Sequence, residues 1–182
     1  MAESLRGQLL VASERLGDPN FARTVVLMVA HDEEGALGLV LNRPLPVTLH
    51  ALAEGISADP PAREGMLFRG GPCETSVLAV FDGVAADGGT PVIPGVRFTA
   101  EPNLIRRLLT HPEGRARFFA GYAGWSAGQL ESELEERAWL LLPARPEHVF
   151  AKPELIWNLA RTELVLGQPL KPAVIPLDPT MN

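Results

Sequence analysis

The chain has 182 residues, of which 46% are hydrophobic, and this predicts one ordered globular domain over residues 1–182. A formal net charge of −6 argues against broad nucleic-acid binding, which depends on Lys and Arg side chains neutralising phosphates. The single cysteine, Cys73, excludes an intramolecular disulfide and is consistent with a reducing compartment.

The start of the chain does not look like a targeting segment. Its first twenty residues have no basic start, apolar region or small-residue cleavage site. The nearby apolar run Val25–Ala30 is too short to span a bilayer. We therefore expect a soluble, cytoplasmic protein with no membrane partner.

The first half of the chain predicts strands joined by turns. The continuous apolar run Thr24–Ala30 predicts a central strand buried on both faces, and Ala36–Leu41 returns as the second arm of a hairpin. Since Pro44 has no N–H, the second arm is expected to end there. Thr48 is expected to cap a short helix. Further strands are predicted at Leu5–Ser13, Met66–Arg69 and Val77–Phe81.

Helices and strands mix in the second half. A helix is expected to begin at Thr99 or Ala100, and Pro153 suits the first position of a last helix. Between them, Arg115–Tyr122 and Trp139–Leu142 are predicted strands, the second of them buried.

The order of these elements lacks strict βαβ alternation. It predicts an α+β fold, a single domain with a mixed, largely antiparallel sheet and helices packed on it. The proline-rich segment 167–182 is expected to be an extended or disordered tail.

The most specific local pattern is FAGYAGWSAGQLESELEERAW, residues 119–139. Its glycines predict a bent turn ahead of a helix. Ser126 and Gln129 have the spacing of a capping box, which predicts Ser126 as the helix N-cap. Trp125 and Leu130 then occupy the positions of a hydrophobic staple, so Trp125 is expected to be buried.

The helix that follows carries charged side chains. Glu133 and Arg137 are four residues apart and are expected to form an ion pair on its surface.

Other polar motifs have two interpretations each. Gly70-Gly71-Pro72 is either a tight turn or a phosphate cradle, although it lacks the spacing and lysine of known phosphate loops. The run from His31 to Glu34 is either a solvated turn or a metal cluster, and the other histidines lack metal-ligand spacing, so no metal is expected. Cys73 is either inert or reactive, and Glu74 beside it favours the inert thiol.

One basic cluster is visible in the sequence. It is either an ordinary solvated surface or a contact for an acidic partner. Its members are Arg106, Arg107, Arg115 and Arg117.

Four stretches together resemble one known family. They are GDPNFARTVVLMVAHDEEGALGLVLNRPL, FRGGP, GYAGWSAGQLESELEERAW and the last helix around Trp157. Over about Leu5 to Leu166 the chain resembles the YqgE/AlgH family of small bacterial proteins, a domain of unknown function. The resemblance implies one α+β unit and a cytoplasmic bacterial protein. Most members have no assigned activity and some carry the label of transcriptional regulator, so no reaction or cofactor is implied.

The family's motif positions suggest where a site would lie. The leading hypothesis is a non-enzymatic binding or regulatory protein for a small molecule or protein partner. The alternative is an enzyme acting on a small anionic metabolite at the Gly121–Glu131 turn, with Glu131 or Glu133 as its acid or base. Direct DNA binding ranks lowest. The candidate site residues are Asn42, Arg43, Gly70, Gly71, Tyr122, Gly124, Trp125, Gln129 and Glu131.

Overall fold

A curled, half-barrel sheet organises the computed structural model, which describes residues 3–56, 59–83, 88–111, 113–171 and 175–181. Within these residues the predicted α+β fold, with one domain and a largely antiparallel sheet, is confirmed. The strands are β1 Gln8–Ala12, β2 Val25–Asp32, β3 Gly35–Val40, β4 Pro44–Thr48, β5 Met66–Arg69, β6 Cys73–Phe81, β7 Thr90–Ile93, β8 Val96–Thr99, β9 Ala116–Ser126 and β10 Trp139–Pro143. The helices are α1 Leu49–Gly55, α2 Pro102–Thr110, α3 Gln129–Glu135, α4 Pro146–Val149 and α5 Ile156–Leu166.

The strand order is β10-β1-β2-β3-β9-β6-β8-β7, with β4 attached through β5. Strand β9 is the centre of this arrangement. It pairs with β6 along one edge, and along the other with β3 near its C-terminal end and with β5 near its middle. The contact between β5 and β9 is parallel, through Phe68 opposite Phe119.

Alternating side chains give the sheet two buried faces. On β1, Leu9 and Val11 join a cluster with Trp157 of α5, whereas Leu10 and Ala12 join a cluster with Leu130 of α3. A further cluster forms where α1 and α2 pack on β6 and β9. We call the two sides the α5 face and the α3 face.

Strand β9 extends to Ser126, four residues beyond the predicted end at Tyr122, so the turn before α3 begins later than expected. Gly121 has φ 72° and interrupts the alternation within the strand instead of ending it. Tyr122 therefore packs on the α5 face with Phe119, while Ala123 and Trp125 lie on the α3 face. The turn itself comes later, at residues 127 and 128.

Ser126 is not the cap of α3. The N-cap is Gly128, which adopts the left-handed conformation with φ 75°. Ser126 still belongs to β9, where it pairs with Gly35, because the sheet register extends that far. One half of the expected capping box remains, since the Ser126 backbone N–H donates to Gln129 Oε1 at 3.1 Å.

Several other boundaries differ from the prediction for local reasons. Strand β3 ends at Val40, before the expected end at Pro44, and Pro44 instead begins β4, whose register with β5 is irregular. Thr48 caps α1 as expected, by accepting the Ala51 N–H. Helix α2 is capped by the Glu101 carboxylate, and α5 begins three residues after Pro153.

Strand β10 is an edge strand, and the expectation that it is buried holds only for Trp139. Leu140 and Leu141 are 38% and 39% exposed, since no further strand covers them within the described residues. No helix of the described chain is long and apolar enough to cross a membrane.

Residues 175–181 of the C-terminal segment pack on the domain. Ile175 is buried, Leu177 forms a β-bridge with Ala151, and residues 179–181 form a short 3-10 helix. Beneath it lies Arg117, a fully buried side chain that donates to the carbonyls of Leu41 and Ala151. Residues 172–174 and 182 of the predicted tail lie outside the described residues.

Candidate functional site

Residues 18–23 form a loop between β1 and β2 that two predicted site residues hold in place. Asn42 is buried, and its Oδ1 accepts the Val25 N–H at 3.0 Å while its Nδ2 donates to the Arg23 carbonyl at 2.9 Å. Arg43 donates through Nη2 to the Ala22 carbonyl. Asn42 and Arg43, which lie between β3 and β4, therefore fasten this loop to the sheet.

Beside this loop is a small notch of about 60 Å³. Its cationic groups are Arg43 and Arg69, and neither guanidinium forms an ion pair among the described residues. Burial lowers the pKa of Arg43, because the charged form loses hydration that no carboxylate replaces. The lining residues are Pro19, Asn20, Val40, Arg43, Arg69, Gly71 and Pro72.

Gly70 and Gly71 are required by close backbone packing. A Cβ at Gly70 would lie 2.1 Å from the Gly121 carbonyl oxygen, and one at Gly71 would lie 2.2 Å from the Tyr122 carbonyl. This favours the structural interpretation of the Gly-Gly-Pro turn over a phosphate cradle formed by its glycines. Gly71 nevertheless forms part of the notch wall.

Tyr122 lies in a different place. It pairs across the sheet with Cys73 and packs on the α5 face. The negative charge of Glu74 raises the pKa of Tyr122. Gly124 is beside it, since a Cβ there would lie 3.5 Å from Cys73 Sγ.

Trp125 and Gln129 belong to a cluster centred on Glu133. Glu133 Oε2 accepts the indole N–H of Trp125 at 3.0 Å and that of Trp139 at 2.8 Å, and Oε1 accepts Gln129 Nε2 at 3.0 Å. Trp125 is buried, as predicted, with its ring stacked on Phe21 of the loop. The expected Glu133–Arg137 ion pair is not observed among the described residues. Instead, Arg137 follows the end of α3 in a left-handed conformation.

Glu131 lies apart from both of these groups and contacts His31. Because the Leu5 N–H donates to Nδ1 at 2.9 Å, the hydrogen-bond pattern assigns the proton to Nε2, which lies 2.8 Å from Glu131 Oε1. The side chain of His31 is only 5% exposed, so the expected solvated turn does not include it. A backbone hydrogen bond and this contact with His31 lower the pKa of Glu131.

The candidate residues therefore fall into separate groups. Asn42, Arg43 and Gly71 lie together at the loop and notch. Tyr122 and Gly124 lie near Cys73. Trp125, Gln129 and Glu131 lie on or beside α3. The sheet separates Tyr122 on its α5 face from Trp125 on its α3 face, so these residues do not form one site.

The basic cluster in the sequence does not form one surface. Arg117 is buried, and Arg115 pairs with Asp82 at 2.6 Å. The described residues contain no group of three His, Cys, Asp or Glu side chains placed to hold a metal ion.

A model of the AlgH-like family matches residues 9–166, which is most of the chain. The chain belongs to the AlgH-like family. A UPF0301 protein of Streptomyces avermitilis is 42% identical over 195 aligned residues, covering 98% of this chain and 96% of the relative. Another UPF0301 protein, from Myxococcus xanthus, is 37% identical and covers 99% of both chains.

Two solved structures have a similar fold. The solution structure of the AlgH protein from Pseudomonas aeruginosa matches with a TM-score of 0.71 and 33% identity, covering 92% of this chain and 91% of that one. The crystal structure of protein DIP2367 from Corynebacterium diphtheriae matches with a TM-score of 0.69 and 25% identity, covering 94% and 91%.

A buried charged network between α4 and α5 of this AlgH-like protein was not predicted from the sequence. Glu163 accepts Arg145 Nη2 at 2.5 Å, His148 Nε2 at 3.0 Å and the Leu170 N–H at 3.0 Å. Burial is the main cause that lowers the pKa of His148. All three contacts satisfy Glu163, so the network fastens α5 to its neighbours beside an apolar cleft of about 370 Å³.

Arg69 and Asn20 were also missed as site candidates. Arg69 stands next to Gly70 in the FRGGP motif and Asn20 lies in the GDPNFAR motif, so both belong to stretches that carry the family resemblance, and both line the notch. Because they are far apart in the sequence, no local pattern indicates that they line the same notch.

Proposed function

We propose that the protein is a cytoplasmic binding protein that holds an anionic group in the Arg43–Arg69 notch and performs no chemistry on it. The observation that carries this proposal is that the half-buried guanidinium of Arg43 and the exposed one of Arg69 line the same notch, and neither has an ion-pair partner among the described residues. Guanidinium groups bind carboxylates and phosphates through two parallel hydrogen bonds. A bound anion would restore the charge balance that burial of Arg43 disturbs.

The size of the notch limits what enters it. With a volume of about 60 Å³, the notch is far smaller than the roughly 300–1,000 Å³ of typical small-molecule pockets, so it suits one anionic group such as a carboxylate or phosphate. The rest of a metabolite, or of a partner protein, would remain outside. The side chains that line the notch include no Ser, Cys, His, Asp or Glu, which supports binding over catalysis.

The alternative, an enzyme at the Gly121–Glu131 turn, has less support. A general acid needs a raised pKa, whereas the pKa of Glu131 is lowered. Glu133 is engaged by two indole N–H groups. Direct DNA binding is not proposed, because the net charge is −6 and the basic cluster that could have supported it is dispersed.

The proposal can be tested by titrating inorganic phosphate and acetate into the ¹⁵N-labelled protein at low ionic strength. We expect saturable shifts of the Asn20 and Gly71 backbone amides, and Arg69→Ala should weaken binding by about ten-fold or more. Arg106→Ala removes an exposed arginine elsewhere and serves as the matched control. The proposal is refuted if these amides do not respond, or if Arg69→Ala binds as well as Arg106→Ala.

A further inference from the structure

A second cationic cleft lies between α5 and the segments that follow β1 and precede β2, with a volume of about 520 Å³. None of its lining residues lines the notch, so an inference from it goes beyond the function proposed above. The lining residues are Ser13, Glu14, Leu16, Ala22, Arg23, Trp157, Asn158 and Arg161.

Two arginines share the Trp157 ring in this cleft. The Cζ atoms of Arg23 and Arg161 lie 4.7 and 4.8 Å from the ring centroid, so they are at most about 10 Å apart. The ring itself is fixed, because the indole N–H donates to the Ala12 carbonyl at 3.0 Å. A guanidinium stacked on an indole keeps its N–H edge available and loses little further freedom when it binds an anion.

The charges in the cleft are unequal. Arg161 pairs with Glu14 at 2.5 Å, and the Glu14 side chain is 70% exposed. Arg23 has no carboxylate within ion-pair distance among the described residues. The cleft thus contains two cations and one internal carboxylate. Since an exposed ion pair is weak, Glu14 can turn into solvent at small cost.

The position of Arg23 is imposed by the fold. Its φ of 57° is the left-handed conformation, which a residue with a side chain rarely adopts. The bond from Asn42 Nδ2 to the Arg23 carbonyl holds it there. Ser13 adds a buried hydroxyl with no hydrogen-bond partner in the described structure, so it can turn toward a ligand without losing a bond.

We propose that this cleft binds a small aliphatic dicarboxylate, with one carboxylate on Arg23 and the other on Arg161 in place of Glu14. The internal Glu14–Arg161 pair shows that the geometry accepts a carboxylate. Two carboxylates neutralise the two guanidiniums once Glu14 has moved away. Glu14 is therefore a built-in competitor, and it sets the affinity of the cleft.

The test is a titration with glutarate, with butyrate as the matched monocarboxylate, followed through the Trp157 indole N–H resonance and by calorimetry. It is carried out in both wild type and Arg69→Ala, so that a failure of the notch does not affect the result. We expect glutarate to bind saturably and more tightly than butyrate. Glu14→Gln should tighten glutarate binding by about two- to five-fold, because it removes the competitor. Arg23→Ala should weaken it by about ten-fold or more.

Folding is checked through the indole resonances of Trp125 and Trp139, which lie on the other face of the sheet. Arg161→Ala provides a second loss variant, and Glu14→Gln changes only an exposed side chain. Equal affinity for glutarate and butyrate would overturn the proposal. Unchanged or weaker glutarate binding in Glu14→Gln would overturn it as well.

Discussion

Glu133 allows the sharpest test of how this domain is held together. Its carboxylate accepts two indole N–H groups on one oxygen and the Gln129 amide on the other. Trp125 and Trp139 are 5% and 2% exposed, so their N–H groups have little access to water if the acceptor is removed. We therefore expect Glu133→Ala to destabilise the protein markedly.

The loss of stability follows from the two indole N–H donors that would lose their acceptor. A buried donor left without a partner costs about 1–3 kcal/mol, and the half-buried position of Glu133 lets water replace part of the loss. The expected total is about 2–4 kcal/mol, which lowers the melting temperature by roughly 4–16 °C for a chain of this length. Glu133→Gln keeps a carbonyl acceptor and should cost less than half as much.

The assay combines thermal unfolding with the three indole N–H resonances. Those of Trp125 and Trp139 should move in Glu133→Ala, while that of Trp157, which is bound to the Ala12 carbonyl, should not. Glu135→Ala is the control, because this exposed residue on the same helix should change stability by no more than about 0.5 kcal/mol. If Glu133→Ala melts like Glu135→Ala, the carboxylate does not support the two tryptophans and the reasoning fails.

Three further predictions concern the close packing of Gly71 on β9, the charged network around Glu163 and the helix caps. Gly71→Ala should destabilise by about 3 kcal/mol because its Cβ would meet the β9 backbone, whereas Gly17→Ala, in open space, should be tolerated; similar denaturation midpoints for the two would contradict this. Since the pKa of His148 is lowered from 6.5, the folded state binds fewer protons, and stability present above that pH should be lost as the pH falls below it. His148→Gln should flatten the melting-temperature profile between about pH 7 and pH 5, and an unchanged slope would refute it. Ser126→Ala should lower the free energy of unfolding by no more than about 0.5 kcal/mol, because Ser126 does not cap α3. Thr48→Ala, which removes the observed cap of α1, should lower it by about 1 kcal/mol. A loss of stability in Ser126→Ala that exceeds that of Thr48→Ala would favour Ser126 as a cap after all.

The sequence could predict those features that depend on local periodicity. The apolar run in β2 and the return strand β3 appear as expected, because period-2 patterns and a glycine turn specify a hairpin within a short segment. The contacts of this hairpin join residues close along the chain. Trp125 is buried as expected, but as a residue of β9 on the α3 face and not at the staple position, because the cap of α3 is Gly128.

The cap of α3 shows why local reasoning fails elsewhere. The Ser126–Gln129 spacing fits a capping box, but pairing with β3 keeps Ser126 in the sheet, opposite Gly35. A Cβ at Gly35 would lie 2.3 Å from the Trp125 carbonyl oxygen, so this close strand contact fixes the register. Long-range pairing therefore overrides the local helix signal and moves the cap to Gly128.

The two proposed cationic sites could not be predicted from the sequence, because each is formed by residues that are far apart along the chain. Arg23 and Trp157 are far apart in sequence, as are Asn20 and Arg69, and no spacing rule connects them. Asn42 and Arg43, between β3 and β4, hold the C-terminal end of the 18–23 loop through hydrogen bonds to Arg23 and Ala22.

This shared loop links the two proposed sites physically. The notch includes Asn20 of the loop and the cleft includes Arg23, while the Asn42 bond to Arg23 and the Arg43 bond to Ala22 fix the C-terminal end of the loop. An anion in the notch would hold Arg43, and with it the Ala22 carbonyl beside the cleft. Because Arg43 would contact both the anion in the notch and the Ala22 carbonyl that lines the cleft, we expect binding at the two sites to be coupled, and an unchanged affinity for glutarate at saturating phosphate would refute this.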